Sequence, residues 1–184
     1  MSQFGKTKLV KKLHFDKSAK DKLLSGINKI AEAVGSTLGA SGRNVIIEND
    51  YGDPHVTKDG VTVANSILLE DPIENVAVSM MKQAAQKTAS IAGDGTTTSI
   101  VLTKAIIDSY YKLKGDEFSF RNIKSGINKF AKEVIKYITD KAEPVDNKML
   151  HDVSIISANN DIELGQTIAD AFNTAGENGI VTME

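Results

Sequence analysis

Two glycines that enclose one carboxylate interrupt this chain between two long apolar patterns. The segment reads Ala92-Gly93-Asp94-Gly95-Thr96-Thr97-Thr98-Ser99, and an apolar helical pattern begins at Ile100. This order predicts a tight turn followed at once by a helix, whose first amides lack intrahelical partners and carry the positive end of the dipole. Such amides and hydroxyls suit phosphate oxygens, and a neighbouring carboxylate suits magnesium. The alternative is an ordinary glycine turn followed by a Ser/Thr cap.

The composition limits the classes of protein to which the chain can belong. The 184 residues suffice for one domain or slightly more, and a hydrophobic content of 41% permits a core. A net charge of -2 argues against a nucleic-acid partner. Because cysteine is absent, disulfides and thiol chemistry are excluded, which fits a reducing compartment such as the cytoplasm. We expect no membrane partner and no secretory signal, since no apolar run approaches the roughly 20 residues of a membrane span.

Helical periodicity covers most of the chain, and the remaining elements are short strands. We predict helices over residues 16–38, from residue 71 to the glycine turn, and over residues 97–113, 120–141, 147–158 and 161–175. We predict strands over residues 44–48, 55–57, 61–64 and 180–183. The Asp59-Gly60 dipeptide between β-branched residues favours a hairpin turn there. Residues 6–15 are either a strand that contacts another subunit or a solvated arm.

Three glycine-containing polar loops stand out as candidate binding elements. The familiar phosphate motifs G-x-x-x-x-G-K-[ST] and G-x-G-x-x-G after a strand are absent from the sequence. The three loops nevertheless supply a lysine, two carboxylates, five threonines and many backbone amides, which are the parts that a magnesium-nucleotide site needs. They are Thr37-Leu38-Gly39-Ala40-Ser41-Gly42, Thr57-Lys58-Asp59-Gly60 and Gly93-Asp94-Gly95-Thr96-Thr97-Thr98.

In this order and spacing, the loops resemble the N-terminal part of a group I, bacterial-type (GroEL-like) chaperonin. The resemblance runs from about Phe15 to Glu184, and Arg43-Asn44-Val45 favours the bacterial and organellar group over the archaeal and eukaryotic cytosolic one. The motifs that carry it are Leu38-Gly39-x-x-Gly42-Arg43-Asn44-Val45, Thr57-Lys58-Asp59-Gly60-Val61, Ala92-Gly93-Asp94-Gly95-Thr96-Thr97-Thr98 and Ile156-Ser157-Ala158-Asn159.

The resemblance implies a mostly α fold in two parts. Residues 1–142 would be the front half of the helical equatorial, ATP-binding domain, with a small β-hairpin. Residues 143–184 would be the first segment of an α+β intermediate domain, with Pro144 at the hinge. The apical domain and the C-terminal half of the equatorial domain would lie outside this chain.

The resemblance also implies roles for individual residues. Asp94 would bind Mg²⁺, and Asp59 would be the catalytic carboxylate near the γ-phosphate of ATP. Ala40 stands where the family usually has proline, which removes a rigid backbone constraint. The implied nucleotide contacts are Thr37, Leu38, Gly39, Ala40, Lys58, Gly60, Asp94, Gly95, Thr96, Thr97 and Thr98.

The function implied for the full-length protein is ATP-dependent assistance of protein folding in a ring of identical subunits, with a co-chaperonin and unfolded client proteins as further partners. For the 184-residue chain alone we expect slow or no ATP hydrolysis. One alternative is a short, non-enzymatic module that co-assembles with or modulates full-length chaperonin. Another is a truncated product without function.

Overall fold

The computed structural model describes residues 12–39, 41–48, 52–113, 118–176 and 179–182. Within these residues the regular structure is helical apart from one two-stranded sheet, which confirms the predicted mostly α fold with a small hairpin. The chain divides into two compact units, residues 1–115 and 116–184. The elements in chain order are α1 (Lys17–Gly35), β1 (Val45–Glu48), β2 (Pro54–Thr57), α2 (Gly60–Ser66), α3 (Pro72–Ala92), α4 (Thr96–Lys112), α5 (Phe120–Lys141), α6 (Asn147–Ser157) and α7 (Ile162–Ala175).

The first unit is built around a core shared by α1, α2, α3 and α4. Helix α1 packs on both α3 and α4, and α3 packs on α4. Burying an aliphatic side chain stabilises the fold by roughly 1.5–3 kcal/mol, so this core is the main source of its stability. The largest fully buried side chains are Ile30 and Val34 of α1, Val63 of α2, Val78 of α3 and Ile100 of α4.

Helices α1 and α3 lie in close contact where Gly26 faces Glu74. A Cβ at Gly26 would lie 2.9 Å from the carbonyl carbon of Glu74, so a larger residue would force the helices apart. Beside this contact, the Glu74 carboxylate accepts hydrogen bonds from Ser25 Oγ at 2.8 Å and from Lys29 Nζ at 2.6 Å. These contacts set the register of α1 along α3, and with it the position of the C-terminal end of α1.

Strands β1 and β2 lie where strands were predicted, at residues 44–48 and 55–57, and they form an antiparallel hairpin with each other. Val45 and Ile47 pack against the core, whereas Ile46 between them is 71% exposed. This alternation gives the hairpin one face on the core and one face away from it. The register pairs Val45 with Thr57, Ile46 with Val56, Ile47 with His55 and Glu48 with Pro54.

The predicted strand over residues 61–64 is wrong, because these residues belong to helix α2. Asp59 is the N-cap of this helix, and its carboxylate accepts hydrogen bonds from the N–H groups of Val61 at 3.3 Å and Thr62 at 2.9 Å. Val63 is buried in the core on the inner face of α2. Capping and burial together override the β-propensity of these residues, so the Asp-Gly dipeptide starts a helix instead of closing a hairpin.

The other helices begin and end close to their predicted bounds, and a capping side chain marks the start of each of them except α4. α5 has the predicted bounds, Phe120–Lys141, and none of its residues is buried. Among the described helices, none is both long enough and apolar enough to cross a membrane. The residues whose side chains accept a hydrogen bond from a first-turn backbone N–H are Asp16, Asp71, Ser119, Asp146 and Asp161.

In the second unit, α6 and α7 pack against each other. A Cβ at Gly165 would lie 2.6 Å from Ile155 Cα, so this glycine permits a close crossing of the two helices. Asn159 and Asn160 connect them with φ of +59° and +65°, a left-handed conformation that asparagine tolerates better than most residues. The predicted pair of helices is therefore confirmed.

The structure differs from the expectations near the ends of the chain. The predicted strand over residues 180–183 is wrong for residues 180–182, which pair with no other strand of the described part. Residues 6–11 and 183 lie outside the described residues. Residues 12–15 are exposed and have no regular secondary structure.

Candidate functional site

The glycine turn joins α3 to α4 through two left-handed residues. Gly93 is the C-cap of α3 with φ of +76°, and Gly95 is the N-cap of α4 with φ of +84°. Both conformations favour glycine over residues with a Cβ. Within the described residues, no side chain caps the first turn of α4. The first amides of this 17-residue helix, at the positive end of its dipole, are therefore left for another partner.

The polar residues of this turn differ in exposure. The Asp94 side chain is exposed, and its Oδ1 accepts a hydrogen bond from the N–H of Gly95 at 2.6 Å. Thr96 is buried, Thr97 is half-buried and Thr98 is exposed. A ligand at the start of α4 would therefore meet the hydroxyls of Thr97 and Thr98 more readily than that of Thr96.

The second loop presents Asp59 as a fixed negative charge. Besides the two amides, Asp59 Oδ2 accepts a hydrogen bond from the Thr62 hydroxyl at 2.6 Å. Burial raises the pKa of the Asp59 carboxyl, but the hydrogen bonds from Thr62 and Val61 outweigh burial and hold that pKa below its ordinary value. A carboxylate with a lowered pKa is a weak proton acceptor. Asp59 therefore suits the orientation of cations better than the removal of a proton.

The loop at residues 37–42 closes the end of α1 with backbone hydrogen bonds. The N–H of Arg43 donates to the carbonyl of Ser36 at 2.8 Å, and the N–H of Gly42 donates to the carbonyl of Gly39 at 2.9 Å. The buried Thr37 hydroxyl donates to the carbonyl of Val34 at 2.7 Å. The exposed residues among the described part of this loop are Leu38, Gly39 and Ser41, of which Gly39 has φ of +81°. Ala40, the fourth predicted contact of this loop, lies outside the described residues.

The structure brings the glycine turn and the loop at residues 57–60 together at Gly60, beside the end of α1 that leads into the loop at residues 37–42. A Cβ on this buried residue would overlap Thr97 Oγ1, and it would lie 3.1 Å from Thr97 Cβ and 3.3 Å from Val34 Cγ1. Gly60 therefore packs directly between the first turn of α4 and the last turn of α1. A second contact supports the same arrangement, since a Cβ at Gly35 would lie 3.4 Å from Val101 Cγ2 of α4.

Two predicted residues are exposed at the edges of this arrangement. Lys58 and Asp94 are both exposed, and neither makes an ion pair with another described residue. The described residues also contain no cluster of three or more His, Cys, Asp or Glu side chains that could hold a metal ion.

Sequence reasoning missed the residues that hold Asp59 and α2 in place. Thr57 Oγ1 accepts a hydrogen bond from the N–H of Asp59 at 3.1 Å, and Thr62 contacts the carboxylate from the other side. Lys82 Nζ, from α3, donates to the carbonyls of Asn65 at 2.9 Å and Ile67 at 2.7 Å, and so caps the C-terminal end of α2. The Asp-x-x-Thr spacing was a detectable capping signal, whereas the contribution of Lys82 depends on tertiary packing.

Comparisons with known proteins support the resemblance to chaperonins along the whole chain. Residues 30–183 match the TCP-1/cpn60 chaperonin family. Chaperonin 60 subunit beta 3, chloroplastic, of Arabidopsis thaliana is 42% identical over 185 residues, which cover 100% of this chain and 31% of the relative. Chaperonin GroEL 1 of Rhodopirellula baltica is 42% identical over 179 residues, covering 96% of this chain and 31% of the relative. The chain thus spans about a third of the length of the curated relatives it matches.

Solved structures agree with the sequence relatives. The chaperonin gp146 from the bacteriophage EL 2 (Pseudomonas aeruginosa), crystallised in the presence of ATP-BeFx, matches with a TM-score of 0.76 and 29% sequence identity. The match covers 89% of this chain and 29% of the bacteriophage protein. Since the family match, the full-length relatives and the fold all coincide, the chain belongs to the TCP-1/cpn60 chaperonin family.

Proposed function

We propose that this chain is the N-terminal portion of an ATP-dependent chaperonin subunit, and that its three loops bind the phosphates of a magnesium nucleotide. The observation that carries the proposal is the packing of Gly60 between Thr97 and Val34, which places the loop at residues 57–60 and the end of α1 against the start of α4. Uncapped amides at the positive end of a long helix attract phosphate oxygens. The presence of ATP-BeFx in the crystals of the bacteriophage chaperonin supports the same ligand class.

The donor set fits Mg²⁺ better than a metal held by protein alone. Mg²⁺ retains several waters and is usually bound through one or two carboxylates together with substrate phosphates. Asp94, an exposed carboxylate beside the start of α4, would supply the protein ligand. When bound, the ion would neutralise phosphate charge that Asp94 and Asp59 would otherwise repel.

The remaining residues would position the phosphates. Thr97 and Thr98 offer hydroxyls, Gly95 and the threonine amides offer N–H donors, and Lys58 would add a positive charge near the phosphates. Asp59 would act as a fixed negative charge that helps to organise hydrolysis, since its lowered pKa disfavours proton transfer. Phosphoryl transfer depends mostly on such positioning and electrostatics, so this division of roles suits the reaction.

The broader assignments extend this proposal to the whole protein. We assign residues 1–142 to the equatorial domain and residues 143–184 to the intermediate domain, by resemblance; the compact units divide earlier, between residues 115 and 116. Chaperonin subunits arranged in a ring would be the partners, and clients and a co-chaperonin would belong to the complete protein. We propose a cytoplasmic location, although the Arabidopsis relative is chloroplastic by name.

A nucleotide titration tests the proposal. The purified chain would be titrated with a fluorescent ATP analogue, with and without Mg²⁺, alongside the Asp94→Ala variant. We expect Mg²⁺ to tighten binding to the unmodified chain, and Asp94→Ala to weaken Mg²⁺-dependent binding about tenfold or more, the loss that corresponds to about 1.4 kcal/mol.

Asp21→Ala is the matched control for this titration. Asp21 is an exposed aspartate near the start of α1, at the opposite end of this helix from Thr37. Its replacement removes the same charge and should leave affinity unchanged. Equal weakening by both substitutions, or binding that ignores Mg²⁺, would contradict the assignment of Asp94.

The exposed face of α5 favours a second candidate function. Phe130 is 70% exposed, Ile135 63% and Ile138 60%, which is unusual for such side chains on one amphipathic helix. A short module that joins full-length chaperonin rings would use such a surface without hydrolysing ATP. Sedimentation of the chain with intact rings separates the two functions, because only the module would co-sediment independently of nucleotide binding.

A further inference from the structure

The sequence contains two Asp-Gly dipeptides, Asp59-Gly60 and Asp94-Gly95, which the fold places in contrasting environments. Asp-Gly is chemically labile because glycine lacks a Cβ that would hinder approach of its amide nitrogen to the preceding carboxyl. We propose that Asp94 is a site of spontaneous isoaspartate formation in the folded chain and that Asp59 is protected from it. The reaction needs neither nucleotide nor metal, so it is independent of the proposed function.

The reaction at Asp94 proceeds through a cyclic imide. The Gly95 amide nitrogen forms a bond to Asp94 Cγ, and its proton leaves with one carboxyl oxygen and a second proton as water, which gives a succinimide. Water then adds to either ring carbonyl. Cleavage of the bond from nitrogen to Cγ restores aspartate, whereas cleavage of the bond from nitrogen to the backbone carbonyl carbon of Asp94 leaves isoaspartate. The product has the same mass as the starting chain and one additional backbone carbon.

The geometry around Asp94 permits succinimide formation. The Asp94 carboxyl is exposed, and its Oδ1 lies 2.6 Å from the Gly95 nitrogen, so the reacting groups are already adjacent. A Cβ at Gly93 would meet no atom within 4 Å, and one at Gly95 would meet only Thr88 Cγ2, at 3.6 Å. The backbone on both sides of Asp94 therefore has space to rotate toward ring closure.

The geometry around Asp59 opposes the reaction at three points. Its carboxylate is held by hydrogen bonds from Val61 N–H, Thr62 N–H and the Thr62 hydroxyl, which direct it past the Gly60 nitrogen to later residues of the first turn of α2. Gly60 is buried, and Thr97 is so close that even a Cβ would overlap it. Ring closure would require Gly60 to move within this packed contact, so α2 would have to unfold locally first.

Ageing the full chain under native conditions tests the proposal. The protein would be incubated without nucleotide or divalent metal at neutral pH, digested, and sequenced by electron-transfer fragmentation, which distinguishes isoaspartate from aspartate at each site. Isoaspartate must be assigned to individual residues because Asn178-Gly179 can form a succinimide as well. We expect isoaspartate at Asp94 to exceed that at Asp59 several-fold.

The same chain incubated in denaturant provides the control. Unfolding exposes both dipeptides equally, so the ratio between the two sites should fall toward unity. A ratio in the folded chain that is no larger than in the unfolded chain would overturn the proposal, as would greater isomerisation at Asp59. Either result would mean that the fold does not set the difference.

Discussion

Replacing Gly60 with alanine probes the contact that joins the start of α2 to the start of α4 and the end of α1. The new Cβ would come closer than 3.0 Å to Thr97 Oγ1, a separation that Cβ atoms essentially never show, and would lie 3.1 Å from Thr97 Cβ. Alanine gains roughly 0.5–1 kcal/mol over glycine inside a helix, whereas overpacking a tight contact costs about 1–3 kcal/mol. We therefore expect Gly60→Ala to lower the free energy of unfolding by about 1 kcal/mol, because α2 must shift away from α4.

A double-mutant cycle with Thr97→Ala identifies the clash as the cause. This second substitution removes the Oγ1 atom that overlaps and leaves a Cβ that a small adjustment can accommodate. Contacting residues show interaction energies of roughly 0.5–3 kcal/mol, so the double variant should recover most of the stability lost in Gly60→Ala. Urea unfolding followed by circular dichroism supplies the four free energies.

Gly126→Ala in α5 is the matched control for the helix-propensity effect. A Cβ there would meet no atom within 4 Å, so the substitution should leave stability unchanged or raise it slightly. The close packing of α2 on α4 would be refuted if Gly60→Ala were as stable as the unmodified chain. It would also be refuted if the double variant recovered none of the stability that Gly60→Ala loses.

Two further predictions concern the contacts that hold α1, α2 and α3 together. Hydrogen bonds from Lys29 and then Ser25 lower the pKa of Glu74, so its contribution is present above the unfolded-state pKa and is lost as the pH falls through the folded-state pKa. Glu74→Gln should therefore be less stable than the unmodified chain at neutral pH and should lose less stability on acidification, as measured by urea unfolding across an acid pH series. Lys82→Met removes both hydrogen bonds that the Lys82 ammonium group donates to the end of α2, and it should lower the free energy of unfolding by about 1–3 kcal/mol in the same assay. Lys87→Met, at an exposed position on α3, should change the free energy of unfolding little.

Local chemistry made most of the helices predictable from the sequence. Asp71 followed by Pro72 marks the start of α3, and Gly93 marks its end, because each residue suits the backbone conformation that its position requires. The bounds of α5 were predicted from apolar periodicity and from Pro144, although no partner covers that periodic face among the described residues. Periodicity therefore located helices whether or not the structure buries them.

Long-range packing accounts for what the sequence did not reveal. Val61 and its neighbours favour a strand locally, but the cap at Asp59 and the burial of Val63 place them in a helix. The predicted strand at residues 180–182 failed for a related reason, since a strand depends on a partner that local sequence does not identify. The candidate loops were identified from their residue types and family resemblance, but the contact of Gly60 with Thr97 emerged only from the fold.

Backbone amide chemical shifts, measured by NMR during addition of Mg-ATP to the isotope-labelled chain, test the central claim most directly. The account predicts that the largest changes fall together on residues 37–39, 58–60 and 94–98, and that in Asp94→Ala the same changes require at least about tenfold more Mg-ATP. Changes confined to α6 and α7, or restricted to one loop while the other two stay unaffected, would contradict a nucleotide site shared by the three loops.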